Sequence, residues 1–190
     1  MKIIELTGTA SASGALTVSA PSMENGRIEK IVYDYTNGDA IADLVITEEG
    51  AVSQPVLTIA NIGEADLTWN PRSLCNKVAD GTAYTDVFDK IFVTGTMKAV
   101  VSGSTIAITT IDGDATTITL TATAHNLNVG DTVTIDGTTN YDGTYTVGAR
   151  TSSSVVTIAD TTHNEASEST GTMVQGGCTY RFLVYLSDLY

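Results

Sequence analysis

Residues that could carry chemistry are few and lie far apart in the sequence. His125 and His163 are the only histidines, and neither lies beside a nucleophile-elbow pattern. A nucleophilic triad needs a Ser or Cys, a His and an orienting acid that converge, and no stretch of the chain offers this set. His125 stands in Ala-His-Asn-Leu-Asn-Val-Gly-Asp, where a hydrogen bond to the turn backbone is its expected role, and His163 stands in a polar run that indicates a solvated loop. We therefore predict no catalytic residue.

Paired carboxylates are the next candidates for a functional site. Asp112 and Asp114 form an Asp-x-Asp turn that could bind calcium, because hard cations prefer several oxygen ligands close together. The helix–loop–helix calcium pattern is absent, so turn chemistry is the favoured role. No Cys or His cluster has zinc spacing, and no Gly-rich loop precedes a helix to hold a phosphate. We predict neither metal nor cofactor. We also expect Cys75 and Cys178 to be free thiols and not to form a disulfide.

Some of the few aromatic and basic residues of the chain lie in or beside the irregular stretch 70–86. Trp69, Arg72, Lys77 and Tyr84 lie in or beside it, in a chain that has few such side chains. Aromatic residues and Arg are enriched at interface hot spots, so these four are our candidates for contact with a partner. Two alternatives stay open: a carbohydrate platform, or ordinary core packing in a loop that crosses between sheets.

Composition indicates an all-β protein that binds neither nucleic acid nor a membrane. Thr, Val and Ile are abundant among the 190 residues, and their branched side chains favour strands over helices. The formal net charge is −13, from 22 acids against 9 bases. Neutralising phosphates needs clustered Lys and Arg, and anionic membrane surfaces repel an acidic chain. We expect no targeting signal and no bilayer span, because no apolar run is long enough.

Short alternating segments separated by turn residues indicate a sandwich or barrel. In the first half, Arg27–Tyr35 alternates apolar and charged residues, and the turn Asn37-Gly38-Asp39 predicts a hairpin with the segment 42–47. Further strands are predicted at 2–7, 15–19, 55–60, 65–69 and 90–101. Between Ser104 and Val174 they are predicted at 105–110, 117–123, 132–135, 143–148, 155–159 and 170–174, with Asp-Gly turns at 112–113, 136–137 and 142–143.

The segments Lys90–Val101 and Cys178–Leu186 are the strongest strand signals, and both are flanked by glycine towards the middle of the chain. We interpret them as the arms of one hairpin whose turn is replaced by residues 104–174, which carry eight acids and one base. The predicted domains are a body, 1–103 plus 175–190, and an insert, 104–174. The predicted fold is all-β: a β-sandwich body with a small β-barrel or sandwich domain inserted in its last hairpin.

Two resemblances to known families follow from particular residues. Arg27-Ile-Glu-Lys-Ile-Val-Tyr-Asp-Tyr-Thr-Asn-Gly-Asp, Asp43-Leu-Val-Ile-Thr, Gln54-Pro-Val-Leu-Thr, Trp69-Asn-Pro-Arg and the segment 90–101 resemble tailed-phage structural proteins, in particular capsid decoration or cement proteins. The insert carries a His-x-Leu-x-Val-Gly-Asp turn and an Asn-Tyr-Asp-Gly-Thr-Tyr turn within Thr121–Val147. This pattern is similar to a small β-module of phage tail, baseplate and fibre proteins.

These resemblances imply a non-enzymatic virion structural protein. The expected partner is the major capsid protein, and the expected location is the outer surface of the capsid after synthesis in the cytoplasm of a host bacterium. They also imply a homo-oligomer, with a trimer favoured, and we expect Leu189 and Tyr190 to contact a neighbouring subunit or the capsid. The alternative is a tail, baseplate or head-fibre component that adheres to carbohydrate on a host surface.

Overall fold

The computed structural model describes residues 1–36, 38–39, 41–50, 53–76 and 83–187, with the backbone alone for 73–76 and 83–89. These residues form strands and no helix, so the described part also has no helix that could cross a membrane. Most strands follow the predicted alternation, and the all-β class is confirmed. The strands are β1 Lys2–Thr9, β2 Leu16–Ser19, β3 Gly26–Tyr33, β4 Asp43–Glu49, β5 Gln54–Ile59, β6 Leu67–Trp69, β7 Arg72–Asn76, β8 Ala83–Lys90, β9 Phe92–Val93, β10 Thr96–Ser102, β11 Ile106–Gly113, β12 Thr117–Ala122, β13 Thr132–Asp136, β14 Gly143–Arg150, β15 Val155–Ala159, β16 Thr172–Gly176 and β17 Thr179–Ser187.

Two sheets pack their apolar faces together and form the sandwich. The first, sheet A, has the order β1-β17-β3-β6, with β9 also paired to β3; the second, sheet B, has the order β2-β10-β4-β5. Alternate residues of the central strands are buried, as a strand with one covered face requires. One apolar core joins both sheets, and it contains Leu6, Ile31, Leu44, Met97 and Phe182.

The insert forms a closed barrel of six strands in the order β11-β12-β15-β14-β13-β16. Closure removes the exposed strand edges that a small sheet would otherwise present to other chains. A second core fills this barrel, and it contains Ile111, Leu120, Val133, Tyr141 and Val156. The six strands predicted for this region are all present, and Val155–Ala159 has the predicted bounds.

The predicted hairpin between the segments 90–101 and 178–186 is wrong. β10 pairs with β2 and β4, whereas β17 pairs with β1 and β3, so the two strands are central in opposite sheets. The reason lies in the β1–β2 connection, which crosses from sheet A to sheet B and carries the partners of β17 and β10 into different sheets. The barrel is therefore inserted in a connection between sheets.

Three further details differ from the predictions. The turn at 37–39, of which Asn37 lies outside the described residues, connects β3 to β4 across the two sheets and forms no hairpin. The stretch 70–86 is not one irregular loop, because β7 and β8 pair as a hairpin. The predicted strand 90–101 is interrupted at Thr94-Gly95, where the Thr94 amide donates to Glu48 Oε1 at 3.3 Å.

One of the three predicted Asp-Gly turns is displaced, and the other two are parts of a single longer turn. β11 continues through Gly113, and the turn to β12 forms at Asp114, whose Oδ1 accepts from the amides of Thr116 and Thr117 at 2.9 and 2.7 Å. Gly137 and Asp142 belong to one longer turn between β13 and β14, in which Gly137 has a φ of 79°. An Asp side chain can close a turn by accepting backbone hydrogen bonds, and this bond decides where the chain reverses.

We predict that the barrel folds by itself when it is excised as residues 104–177. Its core is closed, and β16 continues beyond Val174 to Gly176, where Gln175 donates to the buried carboxylate of Asp131 at 2.9 Å. The fragment 104–177 should give a dispersed amide NMR spectrum. A fragment that ends at Val174 loses this bond and should unfold at lower temperature, and a collapsed spectrum for the longer fragment would contradict an autonomous barrel.

Candidate functional site

The structure places two of the four predicted partner-contact residues on strands that follow each other in the chain but belong to different sheets. Trp69 ends β6 and pairs with Ile31 of β3, and its half-buried side chain packs against the sandwich core. Arg72 begins β7 with an exposed side chain, and its Nη1 donates to the Pro71 carbonyl oxygen at 2.7 Å. Trp69 therefore contributes to the core as well as to the surface, which is the alternative that the sequence left open.

The other predicted contact residues lie wholly or partly outside what the structure describes. The Tyr84 backbone lies in β8, but its side chain is not among those described. Lys77, Leu189 and Tyr190 lie outside the described residues. A contact formed jointly by Trp69, Arg72, Lys77 and Tyr84, and a subunit contact at Leu189 and Tyr190, therefore stay predictions.

The junction between sandwich and barrel is a site that sequence reasoning missed. The turn between β1 and β2, residues 11–14, lies between the two chain segments that enter and leave the barrel; we call it the bracket turn. Gly103 N donates to Gly14 O at 3.1 Å, and Gly177 N donates to Ser11 O at 3.4 Å. From the barrel itself, Thr134 Oγ1 donates to Ala12 O at 2.8 Å. These bonds join the bracket turn to three segments that are far from it in sequence.

Glycine makes this junction possible because the backbones approach too closely for a side chain. A Cβ on Gly176 would lie 2.6 Å from the Ala12 carbonyl oxygen, and one on Gly103 would lie 2.9 Å from the Gly14 Cα. Gly14 also has a φ of 72°, a backbone conformation that favours glycine. The glycines that the sequence shows at the borders of the insert thus serve close packing against the bracket turn.

The His125 turn is held by buried side chains that bond to the backbone. His125 Nδ1 accepts from the Leu127 amide at 3.0 Å, while Asp131 Oδ2 accepts from the Asn128 amide at 2.6 Å. Burial, and to a smaller extent the Arg150 guanidinium, lowers the pKa of His125. Burial raises the pKa of Asp131, although the Asn128 amide and Arg150 oppose this. This geometry agrees with the expected backbone-bonding role of His125.

His163 is better packed than a solvated loop would allow. Its ring stacks on Tyr141 at a centroid distance of 5.4 Å, and its Nδ1 lies 3.1 Å from Asp160 Oδ1. The same carboxylate accepts from the Thr162 hydroxyl at 2.7 Å and its amide, and these bonds lower the pKa of Asp160. The signal that sequence reasoning missed is the Asp160-x-Thr-His spacing, which lets one carboxylate organise a turn.

Asp114, of the Asp112–Asp114 pair, closes a turn with its carboxylate. Asp114 Oδ1 is occupied by bonds from Thr116 and Thr117, and these bonds lower its pKa to about 2. Within the same residues, no group of three or more His, Cys, Asp or Glu could hold a metal ion. The Asp114 carboxylate therefore serves as a turn-forming group.

A buried polar cluster in the sandwich was not predicted. The Asp39 amide donates to the Tyr180 hydroxyl at 3.1 Å, and burial raises the pKa of the Asp39 carboxyl. Cys178 is a buried free thiol whose pKa burial raises to about 12. A thiol with so high a pKa carries almost no thiolate at neutral pH and is a poor nucleophile. Cys178 is therefore a core residue, whereas the Cys75 side chain is not among those described.

A cleft of about 450 Å³ lies between the bracket turn and the outer surface of the barrel. Ser13 lines one side, while Thr134, Asp136 and Thr144 line the other. Asp142 is held in place because its Oδ1 accepts from the Thr138 amide and hydroxyl at 2.8 and 2.7 Å. Hydroxyl groups beside two carboxylates suit a polyhydroxylated ligand, which offers hydroxyl donors to both.

Comparison with known proteins does not identify a family for this chain. No protein-family model, curated protein or solved structure gives a significant match.

We predict that Gly176→Ala lowers the free energy of unfolding by about 2 kcal/mol, the usual cost of forcing an extra carbon into a packed site. Its Cβ would meet the Ala12 backbone, which cannot rotate away. Gly148→Ala in β14 is the matched control, since its Cβ would meet its nearest atoms at 3.4 and 3.5 Å and should change stability by less than about 0.5 kcal/mol. Denaturant unfolding measures both variants, and equal stabilities would mean that the junction is loosely packed.

Proposed function

We propose that this chain is a non-enzymatic structural protein of a tailed phage, seated on the major capsid protein and displaying its barrel outward. The residues that support this are the segments of the body that resemble capsid decoration proteins: 27–39, 43–47, 54–58, 69–72 and 90–101. The barrel contains the turns that are similar to phage tail and fibre modules. A body that attaches and a module that projects suit such a role.

The observation that carries this proposal is the glycine junction at one end of the sandwich. Three hydrogen bonds and the close approach of Gly176 to Ala12 attach the barrel at the end of the sandwich where β1 finishes and β17 begins. We call this end the barrel pole and the opposite end, where Lys2 pairs with Leu186, the distal pole. A barrel attached at several points has a defined orientation, and that suits repeated display on a lattice.

The charge distribution also supports an external location. The barrel segment 104–174 carries eight acids and a single base, Arg150, within a chain of net charge −13. Acidic groups repel packaged DNA and are well solvated on the outside of a shell. The barrel side chains that could take part in catalysis or ligand binding instead form hydrogen bonds within turns, namely those of His125, His163 and Asp114. This favours a structural role.

The same proposal includes self-association, with a trimer favoured by the resemblance to decoration proteins. Oligomers of one chain adopt closed rotational symmetry in most cases, and a three-fold position of a capsid lattice supplies that symmetry. Leu189 and Tyr190 stay the proposed subunit contact.

Electron cryomicroscopy of labelled particles tests this proposal. A gold-binding peptide inserted after Val129, which is exposed at the tip of a barrel turn, should appear on the outer capsid surface near three-fold positions. The same peptide inserted between Ser53 and Gln54, before β5 of the body, is the control and should lie at smaller radius. A label found on the tail alone, or on no particle, would contradict the proposal.

A second candidate function, a tail, baseplate or head-fibre component that adheres to host carbohydrate, is favoured by the cleft. Asp136 and Thr172 form a cross-strand pair on its wall, and Asp112 and Thr119 form an equivalent pair elsewhere on the barrel. Asp136→Asn with Thr172→Val should abolish retention on immobilised host glycans, whereas Asp112→Asn with Thr119→Val should retain it. Equal retention by both double variants would exclude the cleft as the binding site.

A further inference from the structure

The distal pole of the sandwich exposes an unusual concentration of large apolar side chains. Four of the five large hydrophobic residues that the described part of the chain exposes lie here: Met1, Ile3, Met23 and Phe92, with Ile3 51% and Phe92 45% exposed. The fifth, Val129, lies on the barrel. Contiguous exposed apolar groups are rare on isolated proteins and usually mark an interaction site.

Strand register places two of these residues, Ile3 and Phe92, on one surface. Ile3 pairs with Tyr185, which pairs with Lys30, so the three share the outer face of sheet A. On the next row, Arg27 pairs with both Ser187 and Phe92. Met23 lies at the same pole in the segment before β3, next to Glu24, whose carboxylate forms an ion pair with Lys2. We call the surface formed by Ile3, Arg27, Lys30 and Phe92 the distal patch.

The charge of the distal patch is opposite to that of the whole chain. Arg27 and Lys30 belong to it, and Lys30 Nζ lies 4.4 Å from the centroid of the Tyr185 ring. Among the described side chains beside it, Glu29 pairs with Lys90 and also interacts with Arg72. β3 itself carries two bases, Arg27 and Lys30, and one acid, Glu29, although acids outnumber bases by 22 to 9 in the chain.

We propose that the distal patch is the surface by which the body docks, and that its partner is a protein surface with acidic groups around an apolar centre. This inference rests on the proposed function and names the attachment surface for it. An apolar centre with Arg, Lys and aromatic side chains at its edge has the composition of interface hot spots. An acidic partner complements the basic edge of this patch, and the net charge of −13 disfavours its approach to the chain as a whole, so charge also favours this orientation.

The position of the patch supports the same assignment. β1 runs from Lys2 at the distal pole to Thr9 at the barrel pole, and the bracket turn follows directly. Docking through the distal patch therefore leaves the barrel and its cleft, which lie beyond the other end of these strands, uncovered by the partner. The predicted contact residue Arg72 interacts electrostatically with Glu29, which lies beside this patch. Trp69, in contrast, packs partly against the sandwich core.

Two pairs of matched variants test the proposal by co-sedimentation with capsids assembled without this chain. Ile3→Ser with Phe92→Ser removes the apolar centre, and Val129→Ser is its control on the barrel. Arg27→Gln with Lys30→Gln removes the basic edge, and Lys98→Gln with Arg150→Gln removes the same charge elsewhere. All altered side chains are exposed or partly exposed, so the midpoints of thermal unfolding should stay close to that of the unaltered chain.

Both patch variants should bind capsids at least about tenfold more weakly than the unaltered chain, while both controls should bind as the unaltered chain does. The unaltered chain should lose affinity as salt is raised, and Arg27→Gln with Lys30→Gln should lose this salt dependence. Full occupancy by both patch variants would overturn the distal patch and leave the proposed function intact. No binding by the unaltered chain would overturn the proposed function and this partner with it.

Light scattering shows whether the distal patch binds the capsid or a second copy of this chain. If Ile3→Ser with Phe92→Ser converts an oligomer to a monomer but leaves binding to capsids unchanged, the patch is a subunit contact and the proposal is overturned. If the oligomeric state is unchanged while binding to capsids is lost, the proposal stands.

Discussion

The close contact between the bracket turn and the glycines at the barrel boundaries is the constraint on which this architecture depends. Because residues 11–14 cross from sheet A to sheet B, β1 and β2 lie in different sheets, and so do their partners β17 and β10. The chain that joins β10 to β17 must then cross at the same pole, and the barrel forms within that crossing. Gly103 and Gly176 allow it to lie directly against the turn.

Two separate cores explain how one chain supports two structural units. The sandwich core combines aliphatic residues with stacked aromatic rings, among them Tyr33 and Phe182 at a centroid distance of 5.3 Å. The barrel core is almost wholly aliphatic, and its turns are closed by carboxylates that accept bonds from Thr and backbone amides. Most acids of the barrel with a lowered pKa act in this way, as Asp142 and Glu168 do. The carboxylates that make the barrel acidic are therefore largely the groups that close its turns.

The two poles of the sandwich differ in chemistry as well as in position. The barrel pole is packed and hydrogen-bonded, whereas the distal pole exposes Ile3 and Phe92 beside Arg27 and Lys30. A protein that must hold one face against a partner and present another to solvent needs such an asymmetry. Net charge and composition do not reveal this asymmetry, because they are summed over both poles.

The sequence by itself determined the strand content, the six strands of the barrel and the turn role of His125, because alternation and local hydrogen bonds depend on near neighbours. Tertiary structure decided which strands pair, since β10 and β17 carry the same apolar pattern and either could accept several partners. It also decided the junction at Gly176 and the distal patch, whose members Ile3, Arg27 and Phe92 come from three separate strands. Long-range register brings such residues together, and no local pattern in one sequence encodes it.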